Sequence, residues 1–301
     1  MAVPLIPPRA RAVVVDTARG RLRTLRAGPD RATGGASATS ARPLVLIHGG
    51  GYDNSAISWF HMFNEFGTER DVLAVDLPGF GGSIDAEPVG GPAQMASVVA
   101  EVTDAEQTGP AVVFGCSMGG DVALNLALER PDLVAGLVLV GPGGLVPVWR
   151  NRPAQFAAWL GVRIPDLLLL PMTRWANRFV RSALDQFVHD REQIPQQVLA
   201  EFIAEAGHPR AGLGYARYNQ ATIGPAAMRN DLSERVGQIK VPTLFFHGAL
   251  DAMVDPEGSR RAAAAMPRAD LELVPDCGHW AQLERPDDFA IAARRLLARA
   301  R

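Results

Sequence analysis

Three side-chain types that together carry out nucleophilic acyl chemistry occur in this sequence in a set order. Gly115-Cys116-Ser117-Met118-Gly119 fits the pattern G-x-S-x-G, follows the apolar run 111–115 and precedes a helical pattern beginning near Met118. A strand, a tight turn and a helix are the setting of a nucleophile elbow. The serine sits in a strained turn with its Oγ projecting outward, and glycines stand where strand and helix pass too close for side chains. A serine hydroxyl attacks a carbonyl only when a base takes its proton, and that base needs a carboxylate to orient it. His279, in Asp276-Cys277-Gly278-His279-Trp280, lies just past the apolar run 270–274 and fits the base. Of the other histidines, His48 and His247 close apolar runs, His61 falls in an early helical segment, and His189 and His208 fall where no strand is expected. Asp251, just past the run 242–247, fits the orienting acid. Its rival Asp255, before Pro256, fits better as the N-cap of a helix starting near 257.

Acyl transfer also needs backbone N–H donors aimed at the developing oxyanion. His48-Gly49-Gly50-Gly51 closes the run 43–47, and the expected pair is the N–H of Gly50 with that of Met118. Gly51 is the alternative within register error.

The elements that must hold these residues follow from periodicity. Continuous apolar runs at 43–47, 71–76, 111–115, 134–140, 242–247 and 270–274 read as buried parallel strands. Helical patterns between them fall near 55–66, 92–106, 118–129, 257–265 and 287–299, the last with apolar residues at 289, 292, 293, 296 and 297. Two β-rich runs, 12–15 and 21–27, flank Gly20 and predict an edge hairpin, followed by a small, polar surface loop over 31–42. The alternation gives an α/β fold, a mostly parallel central sheet with flanking helices. It is interrupted between Pro142 and Lys240, where amphipathic segments (153–160, 167–180, 196–206) predict a mostly helical insertion. The expected division is a core of 1–142 and 236–301, with 143–235 inserted.

Composition removes other classes. With 301 residues, 48% of them hydrophobic, the chain can bury a full core, and 30 basic against 32 acidic side chains leave a net charge of −2 without like-charge blocks. Nucleic acid and anionic membranes are therefore poor partners, and a small-molecule substrate is expected; a homodimer is compatible with the sequence. Two distant cysteines, Cys116 and Cys277, make neither a disulfide framework nor a zinc site. No metal or cofactor is expected. The first ten residues do not read as a signal peptide, and no uncharged run approaches the ~20 residues that span a bilayer, so a cytoplasmic location is expected.

These residues resemble the α/β-hydrolase superfamily from about residue 12 to 300. The resemblance rests on His48 to Gly51, Asp76-Leu77-Pro78-Gly79-Phe80-Gly81-Gly82-Ser83, the elbow 115–120, Gly248 to Asp251, and Cys277 to Trp280. It implies that the insertion is a helical cap over the site and that Asp76 and Ser83 are architectural. A closer similarity is to meta-cleavage-product hydrolases, which cut carbon–carbon bonds in vinylogous diketones. It is carried by Ser117 to Gly120, Gly141 to Leu145 and Cys277 to Gln282. That branch usually has asparagine where this chain has Cys116. It also holds the substrate carboxylate with a cap arginine, whereas 198–203 contains Glu201 and no arginine; Arg210 and Arg217 are the alternatives. A charge-assisted hydrogen bond is worth about 1.5–3 kcal/mol, so its loss ranks a neutral ester, lactone or thioester above a charged dienoate. Gly51, Trp159, Trp175 and Trp280 are the expected pocket residues, with Trp59, Trp149, Phe156, Phe179 and Leu167 to Leu170 beside them. A ligand-binding module on a hydrolase scaffold is the reading from another class.

Overall fold

In the computed structural model, residues 4–29, 41–168, 171, 172, 180, 184 and 187–300 are described. The strands are β1 (Arg11–Thr17), β2 (Gly20–Ala27), β3 (Leu44–Ile47), β4 (Val72–Val75), β5 (Ala111–Cys116), β6 (Val134–Val140), β7 (Thr243–Gly248) and β8 (Ala269–Val274). They form one sheet in the order β1-β2-β4-β3-β5-β6-β7-β8. β1 and β2 make the expected hairpin, β2 runs antiparallel to β4, and every other pairing is parallel.

Inner strands are aliphatic runs because both of their faces are covered. All of Leu44–Ile47, Val72–Val75 and Ala111–Cys116 are buried, and alternate residues serve opposite faces. Val112, Phe114 and Cys116 join a cluster with Trp59, Phe63, Phe66, Phe246 and Phe289, while Ala111 and Val113 join another with Val99, Leu124 and Phe245. β8, at the sheet edge, is only half-buried. Helices Pro92–Ala105, Met118–Glu129, Pro256–Ala265 and Pro286–Arg299 cover the faces close to the expected bounds. In Pro286–Arg299 the stripe Phe289, Ala292, Ala293, Leu296 and Leu297 is buried. The helix expected over 55–66 is two short ones, Ser55–Ser58 and Met62–Phe66. Between them Phe60 N bonds Ile57 O and Met62 N bonds Trp59 O, an i→i+3 pattern that tightens the chain.

Parallel register brings the strand ends level. Ile47 pairs with Gly115, Cys116 with Val140, Val140 with Phe246, and Gly248 with Val274. The segments that leave β3, β5, β6, β7 and β8 therefore start along one edge. Strand order reverses about β3 and β5, the crevice where such sheets bind ligands.

Between β6 and β7 the described residues form helices joined by loops, with one isolated Ile223–Met228 bridge and no strand of the sheet. Helices Arg152–Gly161, Gln196–Ala206 and Leu213–Thr222 lie there. Gln196–Ala206 has the expected bounds and buries Val198 and Phe202. Arg152–Gly161 differs from expectation, because its buried residue is Gln155 whereas Phe156 and Leu160 are about half exposed. Gln155 bridges the segment, donating to Gly224 O at 2.7 Å and accepting from Trp149 N at 2.8 Å. The expected loop over 31–42 and the helical pattern 167–180 lie largely outside the described residues.

Candidate active site

Ser117 sits between β5 and helix Met118–Glu129 with φ 53° and ψ −116°, a conformation L-residues rarely adopt. The surroundings impose it. A Cβ on Gly115 would run into the Gly119 backbone, and one on Gly119 into the Ile47 and His48 carbonyl oxygens, so strand and helix can touch only through glycine. Ser117 N donates to Val140 O at 2.9 Å, and Ser117 O accepts from Gly143 N at 2.9 Å, which ties the turn to the loop leaving β6.

That loop also backs the acid–base pair. Asp251 Oδ2 lies 2.6 Å from His279 Nδ1, and a Cβ on Gly141 would lie 3.1 Å from both of these atoms. Oδ1 of Asp251 accepts from Met253 N and Val254 N at 2.8 and 2.9 Å. His247, four residues earlier, places Nε2 3.0 Å from Oδ2 and Nδ1 2.8 Å from Ser259 Oγ. Burial pushes the Asp251 carboxyl up, but the facing His279 and the hydrogen bonds from His247 and His279 win and hold it well below the usual range. An imidazole held at Nδ1 by a carboxylate keeps Nε2 free for proton transfer, the arrangement of a general base. Its loop is pinned by His279 N donating to Phe187 O (2.7 Å) and Gly278 N to Glu284 Oε1 (3.0 Å), while Glu284 Oε2 accepts from His189 N and Asp190 N. Asp255 caps its helix through Glu257 N.

The loop after β3 is equally fixed. Asp53, fully buried, accepts from Gly49 N (2.9 Å), Ser58 Oγ (2.5 Å) and Asn54 N (2.8 Å). Burial raises its carboxyl above the usual value, against the pull of His48 and these donors. His48 accepts from Leu77 N at Nε2, so it is structural. Among the described residues, neither Gly50 N–H nor Met118 N–H donates to another protein group, which leaves both available to an oxyanion. Gly50 must be glycine for a different reason: a Cβ would enter the Tyr215 ring.

Two cavities adjoin the site. Ser117, Met118 and Asp251 line one of about 500 Å³ together with Gly143, Trp149, Arg150, Tyr218 and Asn230. The other, about 340 Å³, is walled largely by apolar groups that include Gly51, Val162, Phe187 and Phe202. Tyr215 and Asn219 line both. Of the expected pocket residues, Gly51 faces the smaller cavity. Trp280 is buried behind it against Phe187 and Phe202. Trp159 lies on Arg152–Gly161 with Phe156 and under Arg163, apart from both walls. Trp175, Phe179, Leu169 and Leu170 lie outside the described residues. Trp59 is core, packed on Phe114 and Phe289. Arg210 and Arg217 are engaged elsewhere, with Glu87 and Asp166. Glu201 accepts from Leu5 N and Asn54 Nδ2. Asp76 and Ser83 hold Arg23 and neighbouring backbone, an architectural role. Burial pushes the Cys116 thiol well up, so it stays protonated and unreactive; Gln282 Nε2 lies 3.6 Å from its sulfur.

Sequence reasoning missed three groups. His247 carried a signal, four residues before Asp251. Arg150 at the cavity wall and the buried set Asp121, Tyr218 and Asn230 carried none, being 97 and 109 residues apart along the chain.

A serine at a strand–helix elbow and a hydrogen-bonded aspartate–histidine pair thus stand along one edge of a mostly parallel sheet, and Ser117 and Asp251 line one cavity. The alpha/beta hydrolase fold family model matches residues 42–286, and the chain belongs to that family. It is 30% identical over 82% of its length, and 84% of the relative's, to a 2-hydroxy-6-oxo-6-phenylhexa-2,4-dienoate hydrolase of Burkholderia cepacia. It is equally 30% identical, over 82% of its length and 95% of the relative's, to a pimeloyl-[acyl-carrier protein] methyl ester esterase of Aromatoleum aromaticum. The solved 2-hydroxy-6-oxo-6-phenylhexa-2,4-dienoate hydrolase of Rhodococcus sp. strain RHA1 superposes with a TM-score of 0.70 at 22% identity, covering 96% of this chain and 99% of that one. The protein is thus a hydrolase related to carbon–carbon bond hydrolases and esterases.

Proposed function

We propose that this chain is a serine hydrolase that acts through an acyl-enzyme on a small, largely apolar, uncharged ester, lactone or thioester. Residues 143–235 serve as a cap over a core of 1–142 and 236–301. The observation that carries the reading is that Ser117, strained at its elbow, shares one cavity with Asp251, whose carboxylate holds His279 at 2.6 Å. Ser117 Oγ attacks the carbonyl as His279 Nε2 takes its proton, and Asp251 stabilises the imidazolium. Gly50 N–H and Met118 N–H receive the oxyanion. The imidazolium then protonates the leaving group, and a water activated by the same histidine releases the acid and frees Ser117. Engagement of Arg210 and Arg217 with carboxylates supports an uncharged substrate, as does the Glu201 carboxylate in helix Gln196–Ala206. Two free, buried cysteines accord with a cytoplasmic location, and among the described residues no helix is long and apolar enough to cross a membrane.

A fluorophosphonate probe tests the reading. It should label Ser117 in the native protein and nothing in Ser117→Ala, whose kcat should fall by roughly 10⁶; an unlabelled native protein would sink the proposal.

A second reading, cleavage of a carbon–carbon bond in a vinylogous diketone, is favoured by the Burkholderia relative and by Arg150. Arg150 lines the Ser117 cavity, lies 4.9 Å over the Trp149 ring and has no acidic partner among the described residues. A panel that sets p-nitrophenyl esters of rising acyl length against a ring-fission diketone separates the two. Preference for the diketone, with a raised KM in Arg150→Gln, would put the second reading first.

A further inference from the structure

Helix Met118–Glu129 carries Asp121 one turn beyond the nucleophile, and helix Leu213–Thr222 carries Tyr218 onto it. Tyr218 Oη donates to Asp121 Oδ2 at 2.8 Å, Asn230 Nδ2 donates to the same oxygen at 2.5 Å, and Asn125 Nδ2 donates to Oδ1 at 3.0 Å. Burial raises the Asp121 carboxyl to about 7, against the pull of Asn230, Tyr218 and Asn125. The proposed acyl-transfer steps have no task for this cluster. It is nevertheless close to them. A Cβ on Gly143 would lie 3.2 Å from Tyr218 Oη and 3.6 Å from Ser117 O, and Tyr218 and Asn230 line the same cavity as Ser117.

One atom of the cluster is unspent. Both partners of the Asn230 amide nitrogen lie in the cluster, Asp121 and, at 3.2 Å, Tyr218 Oη. That fixes which end of the amide is which, and Oδ1 is then a buried acceptor with no hydrogen-bond partner among the described residues, on a residue only 7% exposed. A buried acceptor left unpaired is costly, and a site built around one discriminates strongly for a ligand that satisfies it. The amide oxygen carries a partial negative charge, so the spot suits a donor and repels a carboxylate.

We propose that Asn230, positioned by Asp121 and Tyr218, is a specificity subsite of the Ser117 cavity that accepts a hydrogen bond from a hydroxyl or N–H substituent on the substrate, a few bonds from the scissile carbonyl. The inference rests on the Ser117 cavity being the substrate cavity, but not on turnover, and its test is chosen to keep the two apart.

Calorimetry on Ser117→Ala protein measures binding of methyl hexanoate against methyl hexanoates bearing a hydroxyl at each successive chain carbon, with the corresponding carboxylate as the repelled control. One hydroxylated isomer should bind about three- to tenfold tighter than the plain ester, and the ratio should fall to about one in Ser117→Ala/Asn230→Leu. Equal affinities in protein that retains Asn230 would overturn the inference whether or not the leucine variant folds. So would a preference that survives Asn230→Leu, or tightest binding of the carboxylate. Failure of the native protein to hydrolyse any of these esters would count against the hydrolytic reading alone, because the binding ratio is read without turnover.

Discussion

Asp251 receives two backbone N–H groups on one oxygen and two imidazoles on the other. Replacing it with asparagine keeps the shape but offers His279 an amide that can stabilise the wrong tautomer, so kcat should fall about 10⁴-fold while ester KM moves little. The same residue leaves a mark on stability. Its carboxyl is held below the ordinary value of 3.8, so the folded state binds its proton more weakly than the unfolded chain does. The stability it contributes is present in full above that ordinary value and is lost as pH falls below it. Urea unfolding followed from neutral to acid pH should show this loss in the native protein and a shallower one in Asp251→Asn; equal slopes would assign the acid sensitivity to other carboxylates. His247 explains why the aspartate is so well fixed. In the sequence it reads as the last residue of an apolar strand; its spacing of four from Asp251 hints at contact, but the bend that returns Asp251 over it is made by the tertiary turn.

At the scale of elements, the strand–elbow–helix unit was fully legible, since its glycines answer a local contact. Gly119 has no room for a methyl beside the Ile47 and His48 carbonyls. Gly119→Ala should therefore cost about 3 kcal/mol, read as a lowered urea midpoint, together with lost labelling of Ser117. Helix Leu213–Thr222 was not legible. It fell inside the expected helical insertion but outside the amphipathic segments read there, and its period could not say which face meets the core. In the structure it sets Tyr215 against Gly50 and between two cavities. Tyr215→Ala should join them and move the optimum acyl length of p-nitrophenyl esters upward by several carbons. An unchanged chain-length profile would mean that another side chain keeps the cavities apart. The segment Arg152–Gly161 misled for the converse reason. Its apolar residues suggested a packed stripe, yet a glutamine is the residue it buries.

For the molecule as a whole, buried parallel strands announce themselves by continuous apolar runs, and for that reason all six runs fall on strands with ends shifted by at most a residue or so. The aromatic layer on one face had no such signature, because Trp59, Phe114, Phe246 and Phe289 meet from four separate elements. Phe289, fully buried with those three rings at 5.3–6.3 Å, is the piece that closes the layer. Phe289→Ala should destabilise the fold by about 3–5 kcal/mol in urea titrations; a loss under ~1 kcal/mol would mean that the neighbouring rings refill the space. The cavity was even less readable, since its wall is assembled from the loop after β6, one face of Leu213–Thr222, Asn230 in the segment leading to β7, and the loop after β7.

The place of the insertion between β6 and β7 has a consequence in time. Ser117 and its elbow belong to the part of the sheet that is synthesised first, whereas Asp251 and His279 follow β7 and β8, which join the sheet only through β6. On the proposed mechanism, Ser117 therefore lacks its base until the whole insertion has been made and the last two strands have docked. On that mechanism a nascent or truncated chain holds the attacking residue without its base, and hydrolytic competence reports completion of the fold.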